Sequence, residues 1–217
     1  MKRILFTVTG ISFLICLSCQ TGSQSELDPS PTMRAPAVCI WDGAVLRAKP
    51  QQNGKWLSSL CLGETITWLG PAKLDTSSKK PIEYIMIELS DSTIGWASSY
   101  VIVTNAAVGA LKADSPIYKR PDAVTRTDDA FSMMDLVAVT QEKGDWLSVI
   151  GEKRKKKGWI KKSDVTMSKI DVTFAVLANK EFQKEDGRSK REKAKDILKN
   201  PSFKSPYFTQ QLRRIYR

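Results

Sequence analysis

The chain has 217 residues, is 41% hydrophobic and carries a formal net charge of +11, with four Cys and no His. That length suffices for two small domains with cores of their own. The lack of His excludes Ser-His-Asp and Cys-His nucleophilic catalysis and His-ligated zinc, and it removes the commonest general base.

Lys2-Arg3 followed by an apolar run from Ile4 to Leu17 predicts a secretory signal over residues 1–18, too short to span a bilayer stably. The run ends in Cys16-Leu17-Ser18-Cys19, which resembles the lipobox of bacterial lipoproteins. The resemblance implies that Cys19 receives diacylglycerol, becomes the mature N-terminus, and is held by acyl chains such as palmitate on the non-cytoplasmic side of a bacterial membrane. Cys16 stands where that motif usually has Leu, and an ordinary cleaved signal is the alternative. Residues 19–36 continue as a Ser-, Thr-, Gln- and Pro-rich stretch with too little apolar surface to fold. As a flexible tether it has a root-mean-square reach of roughly 20 to 25 Å.

Beyond the tether a pattern occurs twice. Leu46-Arg47-Ala48-Lys49-Pro50 matches Ile117-Tyr118-Lys119-Arg120-Pro121 at an offset of 71 residues, and Leu60-Cys61-Leu62-Gly63-Glu64 matches Phe131-Ser132-Met133-Met134-Asp135 at the same offset. Gly95-Trp96-Ala97 is echoed by Gly158-Trp159-Ile160. Thr65-Ile66-Thr67-Trp68, Ile85-Met86-Ile87 and Trp146-Leu147-Ser148-Val149 are short β-prone runs separated by turn residues. A repeat of this size is too long for a solenoid unit and suits a small barrel.

These motifs, in this order and twice over, resemble the bacterial SH3-like (SH3b) family. The resemblance implies a mainly β fold: an SH3-like barrel over 37–103, a second over 104–166, and a basic α-helical tail over 167–217. In that fold the first strand and the segment before the Gly-Glu turn lie side by side, which makes Cys39 and Cys61 a possible disulfide; two buried thiols are the alternative. Eukaryotic SH3 domains are similar and bind Pro-rich peptides in an aromatic groove. Carried over by position, the ligand-binding candidates are Trp41, Tyr84, Trp96 and Tyr100 in the first repeat, and Trp146 and Trp159 in the second. For Trp96, Trp146 and Trp159, covering a barrel end is the competing role.

The first repeat is neutral, the second is +3, and residues 167–217 are +7. Lys153, Arg154, Lys155, Lys156 and Lys157, with Lys161 and Lys162 beyond, form a basic patch at an expected hairpin. It reads either as a solvated tip or as a contact for an anionic polymer or lipid headgroup. In the tail, Ser189-Lys190-Arg191-Glu192 has capping-box spacing and Ser205-Pro206 opens a last helix. That helix has Phe208, Leu212, Ile215 and Tyr216 on one face, to pack on the second barrel or to meet a membrane or partner.

No Gly-rich phosphate loop or metal-binding cluster stands out, and the acidic pairs Asp128-Asp129 and Glu185-Asp186 are adjacent in sequence rather than opposed across a cleft. The expectation is a non-enzyme without cofactors, anchored to the membrane by its lipid. Its expected partner is peptidoglycan or another anionic envelope polymer, the alternative being a protein partner from the envelope or a host. Nucleic acid is not an expected partner for an exported chain.

Overall fold

The first seven strands of the computed structural model are β1 (Ala35–Cys39), β2 (Ala44–Arg47), β3 (Trp56–Leu60), β4 (Thr65–Asp75), β5 (Ile82–Glu88), β6 (Ile94–Ser98) and β7 (Ile102–Thr104). They form one antiparallel sheet in the order β3-β2-β6-β5-β4-β1-β7. The next seven are β8 (Ala107–Leu111), β9 (Ser115–Tyr118), β10 (Arg126–Phe131), β11 (Leu136–Lys143), β12 (Trp146–Gly151), β13 (Lys157–Lys161) and β14 (Val165–Thr166). Their order is β10-β9-β13-β12-β11-β8-β14. Advancing each strand of the first sheet by seven gives the second, so the sequence repeat is a repeat of topology. The structure describes residues 33–201 and 205–216, so the signal segment, Cys19 and most of the tether lie outside the described residues.

The repeated Gly-Trp has a steric cause that is the same in both copies. A Cβ on Gly95 would stand 2.8 Å from the Leu46 side chain and 2.9 Å from the Arg47 carbonyl oxygen. On Gly158 it would stand 2.5 Å from Ile117 and 2.8 Å from the Tyr118 carbonyl oxygen. Leu46-Arg47 and Ile117-Tyr118 are the equivalent pairs of the duplication, and each Trp that follows pairs in register with the second member. Only glycine lets these two strands approach so closely.

Each sheet encloses its own apolar cluster. Leu46, Leu60, Ile66, Ile85, Ile87 and Ile102 fill the first, and Leu111, Ile117, Phe131, Leu147, Val149 and Ile160 the second. A third cluster joins them: Val38, Ile40, Val103 and Ala106 pack with Ala138, flanked by Val108 and Ile150. The repeats read in sequence as separate units thus lie, over the described residues, within one compact body.

Three helices complete it: α1 (Lys169–Phe182), α2 (Lys190–Lys199) and α3 (Pro206–Ile215). The expected capping box opens α2, with Ser189 and Glu192 satisfying each other's backbone N–H groups. Ser205 caps α3 by accepting from the Phe208 N–H at 2.9 Å, and its hydroxyl donates to Asp171 Oδ1 at 2.6 Å. Asp171 is buried, and Thr166 satisfies its other oxygen at 3.0 Å. Of the two roles expected for the last helix, packing on the second sheet is the one observed. Phe208 and Leu212 are fully buried against Phe174, Ala178 and Ile197 of the other helices and Leu136 of β11. Each contributes about 1.5–3 kcal/mol by burial. Leu62, from the β3–β4 turn of the first repeat, joins the same cluster, so the helices touch both repeats. Among the described residues no helix is long and apolar enough to cross a membrane.

Candidate functional site

The two copies differ most in one hairpin. The repeat offset is 71 residues up to β4 but 63 at the Gly-Trp of β6, so the first copy carries eight additional residues between them. They extend the β4–β5 hairpin. Trp68 pairs with Ile87 and the next paired residues are Ala72 and Ile85, so three residues of β4 stand opposite one of β5. Gly70 supplies the φ of +99° needed in this bulge, and Pro71 has no N–H to lose from the ladder. In the second copy the equivalent strands pair with a single-residue bulge and turn at Gly144.

Beside the bulge lies a cleft of about 440 Å³ at the edge of the first core. Trp68, Ala72, Glu83 and Ile85 line one side, Ser99 and Ile102 another, and Arg154 of the second repeat closes it. The Trp68 indole Nε1 is buried and has no hydrogen-bond partner among the described residues. An unmet buried donor costs about 1–3 kcal/mol. Beside it the Glu83 carboxylate offers acceptors, and the Ile85 and Trp68 side chains offer apolar surface.

Arg154 also forms the adjoining aromatic face. Its Nε donates to the Tyr100 carbonyl at 2.8 Å, and its Nη2 to the carbonyls of Ile102 at 2.8 Å and Ser99 at 3.3 Å. The guanidinium lies 5.7 Å from the Tyr100 ring centroid, while the Lys153 ammonium lies 5.5 Å from that of Trp41. Trp41 and Tyr100 are themselves in contact, with centroids 5.8 Å apart and rings tilted by 58°. The Lys153 N–H donates to the Ile40 carbonyl at 2.9 Å. Lys153 and Arg154 both have positive φ, 53° and 55°, a conformation non-glycine residues adopt only when surrounding contacts impose it.

The structure therefore places the sequence-derived residues in three groups. Trp41 and Tyr100 stand together on the seam, with Tyr100 exposed. Tyr84 and Trp96 are 4% and 7% exposed, with the Lys73 ammonium 6.0 Å from the Trp96 ring, so neither is an open stacking platform. Alternation explains this: Tyr84 and Trp96 lie on the sheet face opposite Ile85 and Ala97, away from the cleft. In the second repeat Trp146 meets Tyr118 edge-on at 4.8 Å and is capped by the Lys161 ammonium at 3.7 Å, while Trp159 is half-buried. The basic patch is divided as well. Lys153 and Arg154 fasten the repeats together, Lys156 donates to the Ala130 carbonyl, Lys162 pairs with Glu142, and Lys155 and Lys157 are exposed.

The Cys39–Cys61 bridge is absent, and both thiols are free. Cys39 donates its Sγ to the Trp41 carbonyl at 3.1 Å, whereas the Cys61 Sγ faces the Lys180 ammonium of α1 at 3.3 Å. Burial pushes the Cys39 thiol up to about 12. Among the described residues no group of His, Cys, Asp or Glu is arranged to hold a metal ion. Sequence reasoning missed Trp68 and Glu83, although Gly70-Pro71 within a β-prone run was the available signal of a bulge.

No family model and no curated protein matches the chain. Among solved structures, NlpC1 from Trichomonas vaginalis is similar at 12% identity and a TM-score of 0.28, over 77% of this chain and 53% of that one. NlpC2 from Trichomonas vaginalis is similar at the same identity and score, over 56% of its length. The chain thus spans about half the length of these NlpC structures. The native structure of CBDP35 is similar at 13% identity and a TM-score of 0.17, over 63% of this chain and 97% of that one. Likenesses this low carry nothing over to this protein.

Proposed function

We propose that the protein is a lipid-anchored, non-catalytic binding module of the bacterial envelope, built from two SH3b-type barrels. The first barrel recognises peptidoglycan or another envelope polymer. The carrying observation is the cleft on the seam, walled by Trp68, Glu83 and Ile85 of the first repeat and closed by Arg154 of the second. A carboxylate acceptor at Glu83 and apolar walls suit a neutral, hydroxyl- and amide-rich chain. The neighbouring Trp41–Tyr100 pair supplies a face for stacking. The lipobox resemblance at Cys19 places this module at a membrane, and the tether gives it reach.

Co-sedimentation with purified sacculi tests the reading. The full chain is expected to pellet with sacculi at both about 0.15 M and about 0.5 M salt, since a largely uncharged contact is screened little. Binding that vanishes at the higher salt would point instead to the exposed lysines of the second repeat and tail. Failure to pellet at either would favour the protein-partner alternative.

A further inference from the structure

A second cleft lies on the far side of the basic loop, where three parts of the chain meet. It has a volume of about 200 Å³ and is floored by Leu62 of the first repeat and Phe131 and Leu136 of the second. Asp135, Glu152, Lys155 and Lys156 stand around it, and Asn179 of α1, with Gln183 just beyond it, closes the rim. Two carboxylates and two ammonium groups balance, so any ligand of one charge sign meets a like charge. The volume falls below the range of about 300–1,000 Å³ typical of drug-sized ligands.

Asp135 is only partly satisfied there. Its Oδ2 accepts from the Ser132 N–H at 2.8 Å, and Oδ1 has no hydrogen bond. Burial raises its carboxyl above the ordinary range, with only part of the effect offset by the Ser132 bond and the nearby Lys156 charge. On the opposite sign, Lys155 is exposed and makes no ion pair, while Lys156 is turned to the Ala130 carbonyl and the Phe131 ring.

We propose that this cleft binds the ammonium–carboxylate end of a small amino acid, with the ammonium at Asp135 and the carboxylate at Lys155. A short side chain then lies on Leu62, Phe131 and Leu136. The site is separate from the seam cleft and does not depend on polymer recognition there. Because its walls come from both repeats and α1, an occupant ties the three together and raises the melting temperature by mass action.

Calorimetric titration of the full chain with alanine tests this. Saturable binding is expected, weakened at least tenfold for N-acetyl-alanine and for alanine methyl ester, each of which lacks one charge. Nε-acetyl-lysine presents the same charged pair on a tethered chain: if it binds as alanine does, the site accepts such an end within a larger molecule, and if it does not, the ligand is a free amino acid. Asp135→Asn keeps an acceptor for the Ser132 N–H, and Lys155→Met changes an exposed side chain. Both variants are expected to keep the native circular dichroism spectrum and to lose tenfold or more in affinity. The proposal is overturned if no saturable alanine binding occurs up to about 10 mM, near the weak end of specific affinities. Equal binding of N-acetyl-alanine, or affinity unchanged in both variants, overturns it as well.

Discussion

The Arg154 guanidinium donates to the Tyr100 carbonyl at 2.8 Å and packs over the Tyr100 ring at 5.7 Å, joining residues 54 positions apart across the seam between the repeats. Hydrogen bonds to a charged donor contribute about 1.5–3 kcal/mol each, and Arg154 makes three. Arg154→Ala is therefore expected to destabilise the chain by roughly 2–4 kcal/mol, allowing for non-additivity within one group. Lys in its place cannot span the same carbonyls with a planar fork and restores little. Urea unfolding checks both variants, and a loss under about 0.5 kcal/mol, typical of a neutral surface change, would refute the assignment.

The cysteines should react unequally. The Cys39 thiol, held neutral by burial, resists alkylation at pH 8, whereas Cys61 is half-buried beside Lys180 and reacts. Peptide mapping after iodoacetamide treatment should find Cys61 modified and Cys39 intact until denaturant is added. Equal labelling in the native state would contradict the burial of Cys39.

Acid should loosen the helices. Arg188 donates to Asp186 at 2.8 Å, to Glu181 at 2.7 Å and to Asp196 at 2.6 Å. Its hydrogen bond holds the Asp186 carboxyl well below the usual range, and Lys184 and Arg188 lower that of Glu181. Folded carboxyls with depressed values bind protons later than unfolded ones, so their stabilisation is present above about pH 4 and fades as pH falls through the folded values. These groups are solvent-accessible, so the effect is modest and salt-sensitive. The urea midpoint should fall between pH 6 and pH 3, and Arg188→Gln should flatten that slope. A slope unchanged in the variant would place the acid sensitivity elsewhere.

The tail should not be separable from the sheets. Ending the chain before α1 exposes the Ala110, Met134 and Leu136 surface now covered by Val172, Phe174, Phe208 and Leu212. A chain ending at residue 168 is expected to bind a hydrophobic dye and to melt at lower temperature or without cooperativity. An unchanged melt would show that the helices are an appendage.

Much of this was legible in the sequence for local reasons. The Gly-Trp repeats report a close strand approach that no other residue tolerates, and Ser189 and Ser205 mark helix starts by hydrogen bonds within three residues. The role of Arg154 was not legible, because its partners lie 52 to 55 residues away and a run of five basic residues carries no mark of which one turns inward. Tyr84 and Trp96 were misplaced for a related reason: type and spacing put them in a strand, but the face they occupy and what covers it are set by tertiary packing. The cleft lies beside a difference between copies, eight residues of hairpin, which a search for similarity passes over.

The most direct test of polymer recognition at the first repeat is Trp68→Phe, with sacculus affinity and unfolding measured on the same protein. Removing an unpartnered buried N–H relieves about 1–3 kcal/mol while the smaller ring loses packing, so the two largely cancel and stability should change little. A ligand that lies against the indole wall of the cleft loses contact area to the smaller ring, so affinity at about 0.5 M salt should fall roughly tenfold. A folded Trp68→Phe protein that binds sacculi as the parent does would contradict the account.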